Sequence, residues 1–169
     1  LICFLVTLLN EHTGGRSNQL LFVTYHSSFK DPLTYVRFFT HVFGHSGWDH
    51  FLGNMTYILL LGPMLEEKYS SKNILKVFLI TALVTALINY IFFPGVGLCG
   101  ASGIAFAFIV MTSFTGFRSG DIPLTFLLVA AVFIGQQVYE GITLQDNISH
   151  MAHIVGGIIG AIVGFKWNK

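Results

Sequence analysis

Segment 74–93 has the sequence ILKVFLITALVTALINYIFF and contains a single charged residue, Lys76. A helix needs roughly 20 mostly apolar residues to cross the hydrocarbon core of a bilayer, where the backbone must satisfy its own hydrogen bonds. Apolar residues make up 53% of the 169-residue chain and charged residues 10%, a balance too apolar for a soluble domain of this size. The sequence therefore predicts an integral membrane protein.

Further apolar segments predict an all-α, polytopic bundle of six transmembrane helices with a long, partly helical first loop. We expect one transmembrane domain over residues 1–169, with its first helix truncated at the N-terminus because the chain begins inside an apolar segment. The predicted helices span 1–9, 48–65, 74–93, 101–117, 122–139 and 150–165. The loop, 10–47, is expected to be an ordered interfacial element. Its apolar residues available for packing are Phe29, Leu33, Tyr35, Val36, Phe38 and Phe39.

Basic residues follow the second, fourth and sixth predicted helices. They are Lys68, Lys72, Lys76, Arg118, Lys166 and Lys169. Because cytoplasmic loops carry an excess of Lys and Arg, the even-numbered helices are expected to end in the cytoplasm and to begin on the outer side. The net charge is +1 and no basic stripe with interleaved aromatics is present, so the sequence does not indicate a nucleic-acid partner.

Polar residues mark all three of these outer helix starts. His50 and Asn54 are four apart and share one face of the second helix, Ser102 opens the fourth, and His150 and His153 lie near the start of the sixth. Polar groups inside a bilayer are costly and are functional by default. The pattern therefore predicts a polar site near the outer side of the membrane.

Two of these helix starts also carry capping signals. Ser46 and Asp49 are three apart, which is typical of a capping box, and Ser149 is the predicted cap of the sixth helix.

A stripe of small residues predicts which helices touch. In the sixth helix, Gly156, Gly160 and Gly164 recur every four residues and allow a neighbouring backbone to approach closely. We expect them to face the side of the fourth helix that carries Ser102, Ala105, Phe106, Ile109, Ser113 and Gly116. This contact would bring Ser102 within hydrogen-bond reach of His153, with the Phe106 ring against the imidazole.

The chemistry that suits this arrangement is acyl transfer. A serine hydroxyl becomes a good nucleophile when a neutral histidine takes its proton, and no acid is placed to orient His153, so the pattern favours a Ser-His dyad. The N-terminal amide of Ser102, with side-chain donors from His50 and Asn54, could stabilise an oxyanion. Gly100 and Gly103 would permit the tight backbone that presents the hydroxyl and its amide together.

The chain resembles the rhomboid family of intramembrane serine proteases. The resemblance is carried by GASG around Ser102, by AHIVGGIIG around His153, and by HVFGHSGWDHFLGN, which contains His50 and Asn54. It implies Ser102 as nucleophile, His153 as general base, and His50 and Asn54 as helpers of the oxyanion. Arg37 in YVRFFTH and Glu66 in LGPMLEE also match family positions.

The sequence departs from the family pattern at two positions. Val36 stands where the family has a tryptophan, and Phe106 stands where a bacterial member has a ring-stacking tyrosine.

The resemblance further implies a hydrolase that cleaves transmembrane protein substrates in the lipid bilayer. Substrate is expected to enter laterally by movement of the fifth helix, and no metal or organic cofactor is expected. The expected location is a bacterial inner membrane, with the active site open to the extracytoplasmic side.

Other interpretations of single residues stay open. A serine between glycines at a helix start is often a cap, and a lone histidine beside glycines is often an interhelical hydrogen-bond donor. His41 and His45 are expected to anchor the first loop, and His150 to cap its helix or line the cavity. Cys99 is a candidate nucleophile, although burial would raise its pKa and favour an inert role.

The strongest alternative from another class is a histidine-rich membrane metalloprotein. Its ligands would come from His41, His45, His50, His150 and His153. The sequence lacks HExxH and lacks carboxylates beside these histidines, which disfavours this alternative. A transporter is a third possibility, but the broken-helix repeats typical of transporters are not visible.

Overall fold

The computed structural model describes residues 1–115, 124, 126–129, 131, 132, 135 and 150–167. Over these residues the chain is helical, and its one strand-like pairing is an isolated antiparallel bridge between Thr24 and Leu98. The α-helices with defined bounds are α1 (Ile2–His12), α2 (Pro32–Thr40), α3 (Trp48–Tyr69), α4 (Ser71–Phe92), α5 (Ser102–Thr112) and α6 (His150–Trp167). The predicted all-α fold is confirmed.

Helices α3 and α4 are longer than predicted, and only Ser70 separates them. The charged segment 66–68, which was expected to lie in a loop, belongs to the last turns of α3. Charged side chains at an exposed helix end do not interrupt the helical backbone hydrogen bonds. The end of the apolar composition at Leu65 therefore placed the end of α3 too early. The helix ends where Ser70 adopts a left-handed φ of 74°.

Helix α5 is shorter than predicted, since it ends at Thr112 and residues 113–115 form a turn. The Nζ of Lys68 donates to the carbonyls of Phe114 (3.1 Å) and Thr115 (2.6 Å), so the end of α5 is level with the end of α3. Eleven residues cover only about 16 Å. Ser102 therefore lies recessed below the start of α3.

The six predicted membrane spans are described to different extents. Helices α4 and α6 are long and apolar enough to cross a bilayer on their own, and α1 and α5 are apolar but shorter. The predicted fifth helix, 122–139, lies mostly outside the described residues. Those of its residues that are described, 124, 126–129, 131, 132 and 135, are helical.

The long first loop is ordered and partly helical, as predicted. It contains a π-helix (Asn18–Phe22), helix α2 and a 3-10 helix (His41–Phe43). Asp31 caps α2 by accepting a hydrogen bond from the amide of Leu33 at 3.0 Å.

Arg37 joins three parts of this loop. Its guanidinium is 3% exposed, with Nε donating to the carbonyl of Leu20 at 2.8 Å and Nη1 paired with the Asp31 carboxylate at 3.1 Å. Its Cζ also lies 4.7 Å from the centroid of the Tyr25 ring. A buried guanidinium with these partners fixes α2 against the π-helix.

Aromatic rings attach the loop to α4. The Tyr90 ring centroid lies 4.9 Å from that of Phe29, 5.5 Å from that of Phe38 and 4.6 Å from that of His26. The six apolar loop residues available for packing differ in burial. Phe38 is buried, but the exposed ones are Phe29, Tyr35, Val36 and Phe39. A peripheral helix such as α2 turns one face to α4 and leaves the opposite face outside.

The glycine stripe of α6 packs closely on α5, as predicted. A Cβ added at any of three glycines would come closer than 3.0 Å to an α5 backbone atom or to a ring at its end. The pairs are Gly156 with Gly103, Gly160 with Ala107, and Gly164 with the Phe114 ring. The partner face on α5 is therefore offset by one residue from the predicted face, because the smallest side chains allow the closest backbone approach.

Replacing Gly160 with alanine should lower the free energy of unfolding by about 1–3 kcal/mol, because the new methyl group overlaps the Ala107 carbonyl. Gly53→Ala is the matched control, since this helical glycine has nothing within 4 Å of its Cβ position. That variant should be as stable as the wild type or slightly more stable. Reversible unfolding in detergent measures both, and equal stability of the two variants would contradict the close contact.

Candidate active site

Ser102 is the first residue of α5 and is half-buried. The N-cap residue, Ala101, makes no side-chain cap bond, and its carbonyl accepts from the amides of Ile104 (3.0 Å) and Ala105 (2.9 Å). The first amides of a helix have no intrahelical partner, so no carbonyl of α5 accepts from the N–H of Ser102. A hydroxyl and an unpaired amide on one residue suit both attack on a carbonyl and stabilisation of the resulting oxyanion.

Gly100 lies next to both side chains that were predicted to stabilise the oxyanion, His50 and Asn54. It has a φ of 121°, in a region that favours glycine, and a Cβ there would lie 2.7 Å from the Nε2 of His50 and 3.5 Å from the Nδ2 of Asn54. The structure thus brings Gly100, His50 and Asn54 into direct contact, two residues before Ser102. The glycine is required here for its conformation and for its missing side chain.

Two backbone contacts hold the loop that carries Gly100. Its N–H donates to the carbonyl of His41 at 2.9 Å. Leu98 exchanges hydrogen bonds with Thr24, at 2.8 and 2.9 Å, in the isolated bridge. The first loop therefore sets the backbone position of the residues that precede Ser102.

Asn54 is 7% exposed, and its Nδ2 has no hydrogen-bond partner among the described residues. Burial of an unpaired amide donor is costly, which marks a site where an acceptor is expected to bind.

The expected capping box at the start of α3 is absent. Gly47 takes the N-cap position and makes no side-chain bond, so Ser46 lies one residue too early to cap the helix. Its hydroxyl instead lies 3.1 Å from the Nδ1 of His50. The predicted cap of the last helix, Ser149, lies outside the described residues.

His153 is 9% exposed on the face of α6 that packs on α5. Its ring centroid is 4.5 Å from that of Phe106, with an interplanar angle of 37°, so the expected ring contact is present. The Cβ position of Gly103 lies 3.2 Å from the carbonyl of Ala152. The neighbours of Ser102 and of His153 are thus in contact. No hydrogen bond joins those two residues within the described part of the chain, and such bonds are often long in unliganded hydrolases.

His150 is half-buried one turn before His153, and the two ring centroids are 6.2 Å apart at 89°. His150 therefore lies at the same end of α6 as His153. Glu66 is exposed near the opposite end of α3, remote from Ser102.

His41 and His45 have hydrogen bonds that anchor the first loop. The Nε2 of His41 donates to the carbonyl of Ala82 at 3.0 Å, and the carbonyl of His45 accepts from Asn18 at 2.9 Å. Burial lowers the pKa of each imidazole to about 4, with the nearby His50 contributing at His45. Both rings are therefore neutral near pH 7.

Cys99 has the properties of an inert thiol. Burial raises its pKa to about 11, so the nucleophilic thiolate is scarce at neutral pH. Both cysteines are free.

The histidines do not form a ligand set in the described residues, which contain no group of three or more His, Cys, Asp or Glu side chains suited to a metal ion. The histidine rings instead contact each other two at a time: His45 contacts His50, and His150 contacts His153.

Comparison with known proteins identifies the family of this chain. Residues 32–168 match the family model described as Rhomboid domain. The chain belongs to the rhomboid family. Rhomboids are integral membrane proteins, so the predicted membrane location is confirmed at this level.

Similar proteins occur in animals and in bacteria. Rhomboid-related protein 2 of Mus musculus is 30% identical over 157 residues, which is 80% of this chain and 52% of that protein. Rhomboid-related protein 1 of Caenorhabditis elegans is 28% identical, over 76% of this chain and 39% of that protein. Rhomboid protease GlpG of Haemophilus influenzae is 22% identical, over 99% of this chain and 88% of that protein. The chain thus spans about half the length, or less, of its animal relatives.

Two structural features of the site were not predicted from the sequence. The bridge of Thr24 with Leu98 joins segments far apart in the chain, and its only local signal is the β-favouring sequence FVTY at 22–25. The contact between Ser46 and His50 was hidden because the same serine matches a capping pattern.

Stability should depend on pH through His41 and His45. In the unfolded chain these groups bind protons near pH 6.5, but in the folded chain only near pH 4. Their contribution is fully present above pH 6.5 and is lost as the pH falls towards 4. The free energy of unfolding in detergent should therefore decrease over that range, and less steeply in His41→Gln. A flat pH profile for the wild type would contradict neutral buried imidazoles.

Proposed function

We propose that this rhomboid is an intramembrane serine endopeptidase that hydrolyses peptide bonds in or near transmembrane segments through a Ser102-His153 dyad. The observation that carries the proposal is the convergence at Gly100, where His50 meets the Nδ2 of Asn54 two residues before Ser102. Among the described residues, this Nδ2 has no hydrogen-bond partner. A buried donor without a partner, beside a helix N-terminus, is what a developing oxyanion needs.

In the first step, His153 takes the proton of the Ser102 hydroxyl while the oxygen attacks the scissile carbonyl carbon. The tetrahedral oxyanion accepts hydrogen bonds from the Ser102 amide, from His50 and from Asn54. Collapse breaks the C–N bond, and His153 passes its proton to the leaving amine. The contact with the Phe106 ring keeps the imidazole in position for both transfers.

In the second step, His153 takes a proton from water, and the hydroxide attacks the acyl-enzyme. The second tetrahedral intermediate expels Ser102, which recovers its proton from His153. Water must reach a recessed site inside the membrane, and we expect it to come from the extracytoplasmic side, in a bacterial inner membrane.

The substrate is expected to be a transmembrane protein segment that has left its helical conformation, because a carbonyl inside a helix is already bonded. Leu98 uses both of its backbone groups on Thr24, so in an antiparallel pair the groups of Gly97 and Cys99 point to the other edge. Among the described residues, no backbone bond occupies this edge. An extended substrate could pair there, directly before Ser102.

Ser102→Ala and His153→Ala should each lower kcat by about 10⁴-fold or more, because the nucleophile and its base act as a unit. The assay uses purified protein in liposomes with a fluorescent transmembrane substrate. A fluorophosphonate should attach to Ser102, and mass spectrometry locates the modified residue. Cleavage that survives both substitutions, or a label on Cys99, would refute the proposed dyad.

Gly100→Ala should lower kcat by about 10²-fold or more, because the new methyl group would overlap the His50 ring and because alanine is strained at a φ of 121°. Gly95→Ala is the matched control in the same loop, because nothing lies within 4 Å of its Cβ position. Equal activity of the two variants would count against a role for His50. Thermal unfolding of each variant separates loss of catalysis from loss of structure.

A further inference from the structure

A neutral histidine can donate to an oxyanion through Nε2 only if its proton is on that nitrogen. The other ring nitrogen, Nδ1, is then an acceptor. In His50 the ring edge that carries Cε1 and Nε2 faces Gly100, since a Cβ there would lie 2.7 Å from each atom, and this edge places Nε2 beside the proposed oxyanion position. Whether His50 can donate a hydrogen bond to the oxyanion therefore depends on which tautomer its surroundings favour.

Among the described residues, Ser46 provides the hydrogen-bonding groups next to the Nδ1 of His50. Its backbone N–H points at the Nδ1 of His50 at 3.5 Å, and its hydroxyl oxygen lies 3.1 Å from the same atom. A backbone N–H can only donate, so a proton on Nδ1 would oppose it directly. The hydroxyl can then join as a second donor, in a three-centre arrangement.

Packing fixes the ring in this orientation. The edge of the His45 ring meets the ring of His50, with centroids 5.1 Å apart at 72°. The ring also lies close to Gly100, where a Cβ would come within 2.7 Å of its Cε1 and Nε2.

We propose that Ser46 is a positioning residue that holds His50 in the Nε2–H tautomer and so keeps a donor aimed at the oxyanion. The proposal rests on the proposed function for the catalytic role of His50, but the tautomer itself does not. Ser46 acts through His50 and does not touch the reacting atoms.

The tautomer can be measured without any cleavage assay. Protonated and unprotonated ring nitrogens have well separated ¹⁵N resonances, so two-bond ¹H–¹⁵N spectra of ring-labelled histidine in micelles report it. The His50 signals are identified by their loss in His50→Gln. We expect an unprotonated Nδ1 and a protonated Nε2 in the wild type. A protonated Nδ1 would overturn the proposal whether or not the chain is a protease.

Kinetics test the consequence for catalysis. Ser46→Ala should lower kcat about three- to tenfold with KM unchanged, as expected for one lost hydrogen bond, and Ser46→Thr should retain the rate. Ser71→Ala, an exposed serine at the start of α4, is the control and should behave as the wild type. Because Ser46→Ala keeps the backbone N–H, an unchanged kcat would overturn the role of the hydroxyl, and a protonated Nδ1 in the spectra would overturn the role of the N–H.

A double-mutant cycle separates positioning from general damage. Glutamine has an amide donor that does not depend on a tautomer, so in the His50→Gln background Ser46→Ala should have no further effect. An equal loss in both backgrounds would overturn the proposal. Failure of the proposed function would show differently, as cleavage that survives Ser102→Ala.

Discussion

The close approach of α5 and α6 is the contact on which the rest of the site depends. Apolar side chains gain little by leaving lipid for protein, so membrane helices associate through tight packing and hydrogen bonds. Gly156 and Gly160 remove the side chains that would separate the two backbones. This contact brings His153 against the helix that begins with Ser102, and it allows the Phe106 ring to reach the imidazole. A wider spacing would leave both residues in the membrane without a common function.

The other half of the site depends on the first loop. Helix α3 supplies His50 and Asn54, but these side chains meet the segment before Ser102 only because that segment is held from outside the helices. The carbonyl of His41 binds the amide of Gly100, and Thr24 pairs with Leu98. The loop therefore supports the proposed oxyanion region, while the glycine contact supports the proposed dyad. Changes in the two should have separable effects, one on transition-state stabilisation and one on proton transfer.

The sequence predicted what periodicity and residue chemistry determine. Glycines every four residues indicated the α6 contact, and polar groups at helix starts indicated the site, because both patterns follow from helix geometry. It could not predict the partner face of α5, which is decided by a one-residue offset between small side chains at Gly103 and Ala107. It also misjudged Ser46, since a capping pattern specifies a possible bond, and only the position of Gly47 as N-cap shows that the bond is not made.

The Nδ2 of Asn54 is informative because it is buried and has no hydrogen-bond partner in the part of the chain that the structure describes. A buried donor without a partner costs about 1–3 kcal/mol, and a side chain free to turn would avoid that cost. Asn54 is 7% exposed and lies against Gly100, so its amide is already desolvated in the folded state before any substrate binds. A preorganised donor of this kind gains its full hydrogen bond only when negative charge develops near it. The same reasoning explains why the tautomer of His50 matters, since a second donor beside Asn54 helps only if its proton already faces that charge.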